Sequence, residues 1–172
     1  MRNFVLFFAC LLAGSLFVNQ SFGDWPQFRG PNGNGYIGKL NHPTQWAMKQ
    51  NLAWSHPIPG GGWSSPIIVG KRVFVTTAVD SKNTKPLGHA GGVRNMRGRK
   101  PTEPFDFRLI CLSLENGSLQ WEKSLARKQP KYAIHPSNTY STESPVTDGK
   151  HIFCYFATVS YTHLTLTTIL LV

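Results

Sequence analysis

The sequence predicts an all-β chain built from a repeated four-stranded antiparallel unit, and three observations carry that prediction. SPIIVGKRVFVT, starting at Ser65, returns as SPVTDGKHIFCY at Ser144: Ser, Pro, Gly, Lys and Phe coincide, and Ile67/Val146 and Val73/Ile152 are like for like. Between the copies RLICLSL, ENG and SLQWEKSL read as a second hairpin, in which Ile110, Leu112 and Leu114 alternate with Cys111 and Ser113 before the turn. Beyond residue 23 no stretch has a convincing helical period. Four-stranded units in series, greasy on both faces, are stable when stacked radially. The expected fold is therefore a partial β-propeller of about one and a half four-stranded antiparallel blades.

The first element is not part of that fold. MRNFVLFFACLLAGSLFVNQSFG has a positive charge at Arg2, an apolar run over 4–18, and small residues at Ser21 and Gly23, the three regions of a cleaved export signal. A membrane span needs about 20 apolar residues, and this run is broken by Gly14 and Ser15. Residues 1–23 are thus read as a signal peptide, the mature chain begins at Asp24, and the expected location is periplasmic or secreted with no membrane span after cleavage. With 41% hydrophobic and 15% charged residues, the remainder has enough apolar material for one domain.

In each repeat, Pro66 and Pro145 stand at strand heads, where a missing N–H is tolerated. Gly70 and Gly149 stand where the chain must turn at positive φ. The runs that follow, RVFVTTA and HIFCYFA, are nearly continuous in hydrophobicity, as strands covered on both faces are. Cys111 and Cys154 lie inside such runs and read as buried unpaired thiols, without metal-ligand spacing. Between the second and third strands comes a Gly-rich insertion with Lys82, Lys85, Arg94, Arg97, Arg99 and Lys100 and no acid among them. It reads as a long solvated loop that an acidic polymer would find attractive. No aromatic residue is interleaved there to stack bases, so nucleic acid is not an expected partner.

CLSLENGSLQW, residues 111–121, looks like the tryptophan-docking repeat of PQQ-type β-propellers, Ala-x-Asp-x-x-Thr-Gly-Lys-x-x-Trp. Gly117 and Trp121 match, while Cys111, Ser113, Asn116 and Ser118 replace the usual residues. A longer similarity is to exported PQQ-like propeller proteins of planctomycete type, which share the DWPQFRGPNGNG opening (24–35), NLAW with PIPGGGWSSPIIVGKRVFVTTA (51–78), and NTY with SPVTDGKHIFCYF (138–156). The resemblance implies that Trp121 packs against a neighbouring blade and that residues 24–158 are the N-terminal portion of such a domain. A propeller usually closes with about four to eight blades, so residues 24–158 expressed alone are expected to be insoluble or molten through their open edges. A sharp cooperative melt of a soluble monomer would contradict this.

The last stretch departs from the family pattern. From Val159 the chain has no Gly, Pro, Asp, Asn, Lys or Arg. VSYTHL resembles the in-frame translation of a transposase-based sequencing adapter, so 159–172 is read as a non-native tail. The competing reading is a strand, since YTHLTLTTILLV alternates and is β-branched.

The catalytic search is mostly negative. His42, His56, His89, His135, His151 and His163 never fall at metal spacings, and no Gly-x-Ser-x-Gly elbow supports a triad. PNGNGYIG and PGGGW read as turns rather than phosphate cradles, and HPSNTYSTES as a hydroxyl-rich surface loop near one end of the propeller. No catalytic, cofactor-binding or metal-binding residue is nominated. The resemblance implies a non-catalytic binding or scaffold module for protein or polysaccharide at the cell surface or in the periplasm. The alternative is the N-terminal piece of a PQQ- and calcium-dependent quinoprotein dehydrogenase, a class that typically shows an adjacent Cys-Cys pair; none occurs here.

Overall fold

The computed structural model describes residues 24–36, 38, 43–82, 100–156 and 168–171. The expected signal peptide and most of the basic insertion, with Lys85, Arg94, Arg97 and Arg99, lie outside them. Among the described residues the chain is all-β with no helix.

Four strands, β1 (Ile67–Val69), β2 (Arg72–Val79), β3 (Phe105–Ser113) and β4 (Leu119–Lys128), form one antiparallel sheet in sequence order. Gly70 turns β1 into β2 at φ 56°, so Val69 faces Arg72 across a two-residue loop. Gly117, at φ 69°, turns β3 into β4. Irregularities at Phe107/Arg108 and Cys111/Leu112 shift the register of the β3–β4 ladder. Such bulges increase local twist.

The strand alternation sorts side chains onto two buried faces. Ile67, Phe74, Ala78, Phe107, Leu109 and Cys111 share one apolar cluster with Ile152 and Cys154 from the second copy of the repeat and with Tyr140 and Phe156, which flank it. Val73, Ile110 and Leu112 form another, closed by Trp54 and Ile58 from the segment preceding β1. Both faces are covered, which is why β2 reads as an almost unbroken apolar run.

The second sheet contains β5 (Val146–Thr147), β6 (His151–Cys154) and β7 (Thr168–Leu171), in that order. β5 and β6 repeat the β1–β2 hairpin, with Gly149 at φ 90°. β7 falls inside 159–172, the stretch set aside from the sequence, and its backbone pairs antiparallel with β6 from Cys154↔Thr168 to His151↔Leu171. An open strand edge offers that ladder to any extended β-branched segment. β7 is thus the third strand of this sheet, as the competing strand reading of the tail expects.

Phe107 and Phe156, both fully buried, join the two sheets with ring centroids 4.9 Å apart. Cys111 and Cys154 are free and buried in the same cluster. Burial pushes the Cys154 thiol up to about 12 and raises that of Cys111 as well, the nearby Arg72 partly opposing the latter. Because the thiolate is the nucleophile, neither cysteine should react with an aromatic disulfide reagent at pH 8 until denaturant is added, when both should. Prompt titration of Cys154 in the native chain would contradict the packing.

Candidate binding surface

The first sheet has two unlike ends. At the hairpin-turn end, the indole of Trp54 lies against Gly117: a Cβ built on that glycine would come within 2.3 Å of the ring. The indole Nε1–H donates to the Leu114 carbonyl at 2.9 Å. The resemblance had pointed to Trp121 as the docking indole. Trp121 packs against the core shared by the two sheets, tilted by 52° and 5.8 Å from the Phe74 ring, and a second indole, Trp54, occupies the glycine turn. The sequence did contain a signal for this, since Leu52-Ala53-Trp54 repeats the Leu-x-Trp of Leu119-Gln120-Trp121.

At the other end, around Ala78, two segments far apart in sequence meet in a seam of neutral hydrogen-bonding groups. The PGGGW stretch, read from sequence as a turn, is a close backbone approach instead. Gly61 exchanges hydrogen bonds with Ala78 at 3.0 and 3.1 Å. A Cβ on Gly60 would overlap the Ala78 carbonyl oxygen, and one on Gly62 would sit 2.6 Å from the Thr76 oxygen. Glycine is needed because any side chain would prise the segment off β2.

The chain then crosses to the 138–145 segment. Trp63 N–H donates to the Ser141 carbonyl at 2.8 Å, and Ser65 N–H to Ser144 Oγ at 2.8 Å. Thr76 donates to Ser64 Oγ at 2.8 Å, and Thr77 to the Pro59 carbonyl at 2.6 Å. HPSNTYSTES is therefore more than a surface loop: Thr139, Tyr140 and Ser141 are buried, and Ser141 Oγ has no hydrogen-bond partner. Tyr140 OH donates to the Tyr132 carbonyl at 3.0 Å. Trp63 (42% exposed) and Tyr132 (54% exposed) stay open to solvent beside this seam.

One residue past Ala78 begins a cavity of about 160 Å³ whose lining includes Val79, Asp80, Asp106, Arg108 and Arg127. Arg108 spans Asp106 at 2.7 Å and Glu122 at 2.8 Å, and Ser124 donates to the other Asp106 oxygen at 2.5 Å. Ser81 donates to Glu103 Oε2 at 2.6 Å across the neck of the basic insertion. Seam, cavity and insertion neck thus share one end of the sheet.

Acid–base groups are sparse. His135 Nδ1 lies 2.7 Å from Ser137 Oγ but also takes the Ser137 main-chain N–H at 3.2 Å, so the imidazole caps a local turn. Among the described residues no group of three or more His, Cys, Asp or Glu is placed to hold a metal, and no helix is long and apolar enough to cross a membrane. In the β5–β6 turn, the His151 ring nitrogen 2.9 Å from Asp148, then the N–H groups of His151 and Lys150, hold the Asp148 carboxyl well below the usual carboxylate range. A depressed acid contributes stability above its unfolded pKa, and loses it as pH falls through the folded value. The Asp148 carboxyl resonance should titrate below the range of an exposed Asp, and His151→Ala should move its midpoint upward.

Comparison of the chain with family models, with curated proteins and with solved structures finds no match.

Proposed function

We propose that this chain is the N-terminal portion of an exported PQQ-like β-propeller that works as a non-catalytic binding or scaffold module in the periplasm or at the cell surface, its partner a protein or a polysaccharide. The observation that carries the reading is the two-sided burial of the β1–β4 sheet, apolar residues facing the second copy on one side and Trp54 with Ile58 on the other. A sheet sandwiched in this way is a sector, stable only between neighbours. The packing of Trp121 on the core shared with the second copy supports the same reading, because the resemblance implies an indole set against a neighbouring blade.

The binding half of the proposal rests on the seam end. The exposed rings of Trp63 and Tyr132 offer apolar plates with polar edges, a surface suited to sugar rings or to an extended peptide. The direct test is binding of the intact protein to cell-wall polysaccharide and to envelope proteins, with Trp63→Ala as the comparison. Loss of about tenfold or more in affinity on that substitution supports the reading. Equal binding by the variant, or a bound-quinone absorbance band on adding PQQ and Ca²⁺, overturns it, the latter in favour of a quinoprotein dehydrogenase.

A further inference from the structure

We propose that the edges of β1 and β5 form a peptide-docking groove, and that its occupant is the chain's own residues 24–30. Both strands are terminal in their sheets, β1 in the order β1-β2-β3-β4 and β5 in the order β5-β6-β7. Terminal strands present unpaired N–H and C=O groups that an extended segment can complete. The first residues after the expected signal do this for both sheets at once. Trp25 exchanges two hydrogen bonds with Ile68, each 2.9 Å, and the next carbonyl, Pro26, accepts the Thr147 N–H at 3.0 Å. Asp24 Oδ1 accepts the Gly70 N–H at 2.6 Å, so the segment also grips the β1–β2 turn.

The docked segment is shaped to stay. Proline at position 26 pre-sets an extended entry and spends no donor, leaving only its carbonyl to meet β5. The chain then folds back on itself: Gly30 N–H donates to the Gln27 carbonyl at 2.9 Å, and Gly30 is buried against the Trp25 ring, where a Cβ would come within 2.6 Å. At φ 76° it adopts a conformation that glycine alone takes readily. A tryptophan locked under its own glycine is an anchor, and the Asp-Trp-Pro backbone is the part that reads the groove. The segment thereby couples the two sheets along their first strands and covers edges that other chains would otherwise extend. This inference rests on the hydrogen bonds alone and not on the propeller reading.

The test is amide hydrogen exchange on the 172-residue chain, comparing the wild type with Trp25→Ala and Asp24→Ala. Trp25→Ala keeps the main-chain groups but removes the ring seated on Gly30, so the segment should open more often and exchange at Ile68 and Thr147 should speed by about tenfold, while Val75 and Ile110 in the β2–β3 ladder keep their protection. Asp24→Ala, a surface change that leaves folding intact, should speed exchange at Gly70 alone. A synthetic peptide of residues 24–35 should restore protection at Ile68 and Thr147 in the Trp25→Ala chain, and the same peptide with Trp replaced by Ala should not. Unchanged exchange at Ile68, Gly70 and Thr147 in both variants overturns the proposal, as does a failure of the peptide to rescue. Protection that depends on protein concentration overturns the assignment of the chain's own segment and makes a second copy the occupant.

Discussion

Gly117→Ala should destabilise the chain by about 3 kcal/mol, combining the strain of a side chain at positive φ with the partial expulsion of a large ring. Gly117 sits at φ 69° and the added Cβ would come within 2.3 Å of the Trp54 ring. The indole cannot slide aside cheaply, because Nε1 is tethered to the Leu114 carbonyl and the ring closes the cluster of Val73, Ile110 and Leu112. Gly117→Asn separates the two causes. Asparagine tolerates the left-handed region, so if backbone strain dominated it would be nearly neutral, whereas displacement of the ring makes it as damaging as alanine. Urea midpoints and the emission maximum of the Trp54 indole check this. A loss under about 1 kcal/mol for both substitutions, with no red shift, would remove Trp54 from the turn.

The repeat was legible in the sequence because it is written in local chemistry. Gly70 and Gly149 mark the same turn, Pro66 and Pro145 the same strand head, and the runs after each turn are apolar on both faces. Those signals need only a handful of neighbouring residues, and the hairpins they specify are present. The buried, unpaired state of Cys111 and Cys154 was readable for the same reason.

The seam was not legible, and its physics explains why. Its bonds are main-chain contacts between irregular segments: Trp63 N–H meets Ser141, and Gly61 meets Ala78. Irregular backbone has no apolar period to betray its burial, and a glycine needed for close approach looks the same as one needed for a turn. Gly60, Gly61 and Gly62 were therefore read as a turn, and HPSNTYSTES as a loop on the surface. The resemblance singles out Trp121 because that residue stands inside the matched motif. Trp54 belongs to the preceding segment, and its repeat of Leu-x-Trp is too short to weigh without the Gly117 turn in view.

The division of labour between the two ends of the sheet follows from these differences. The hairpin-turn end is held by specific, tightly packed contacts: the Trp54 ring on Gly117 and the Asp24 carboxylate on the Gly70 N–H. The seam end holds neutral hydroxyls, an unpartnered Ser141 Oγ, an exposed Trp63, and the neck of a basic insertion. Loops positioned by a rigid sheet are where binding groups accumulate. The irregular, hydrogen-bonded surface of the seam end is thus set apart from the packing that fixes the strands.

Phe107→Ala is expected to cost about 3–5 kcal/mol, the range for truncating a large aromatic in a core. Phe107 is fully buried, lies on β3 opposite Ala78 and Ala126, and stacks at 4.9 Å on Phe156, which is also fully buried. The neighbouring Phe105 ring lies farther off, 6.4 Å from Phe107, and packs on Tyr140 at 4.9 Å. A double-mutant cycle with Phe156→Ala should return a coupling of about 0.5–1.5 kcal/mol, the worth of an aromatic pair beyond the area it buries. The loss should also be visible locally. Cys154 belongs to the same cluster, so the Phe107→Ala chain should let a disulfide reagent reach that thiol under native conditions while the β2–β3 amides stay protected. If Phe107→Ala left Cys154 shielded and shifted the urea midpoint by less than about 1 kcal/mol would require, the two sheets would not share a core, and the sector reading built on their stacking would go with it.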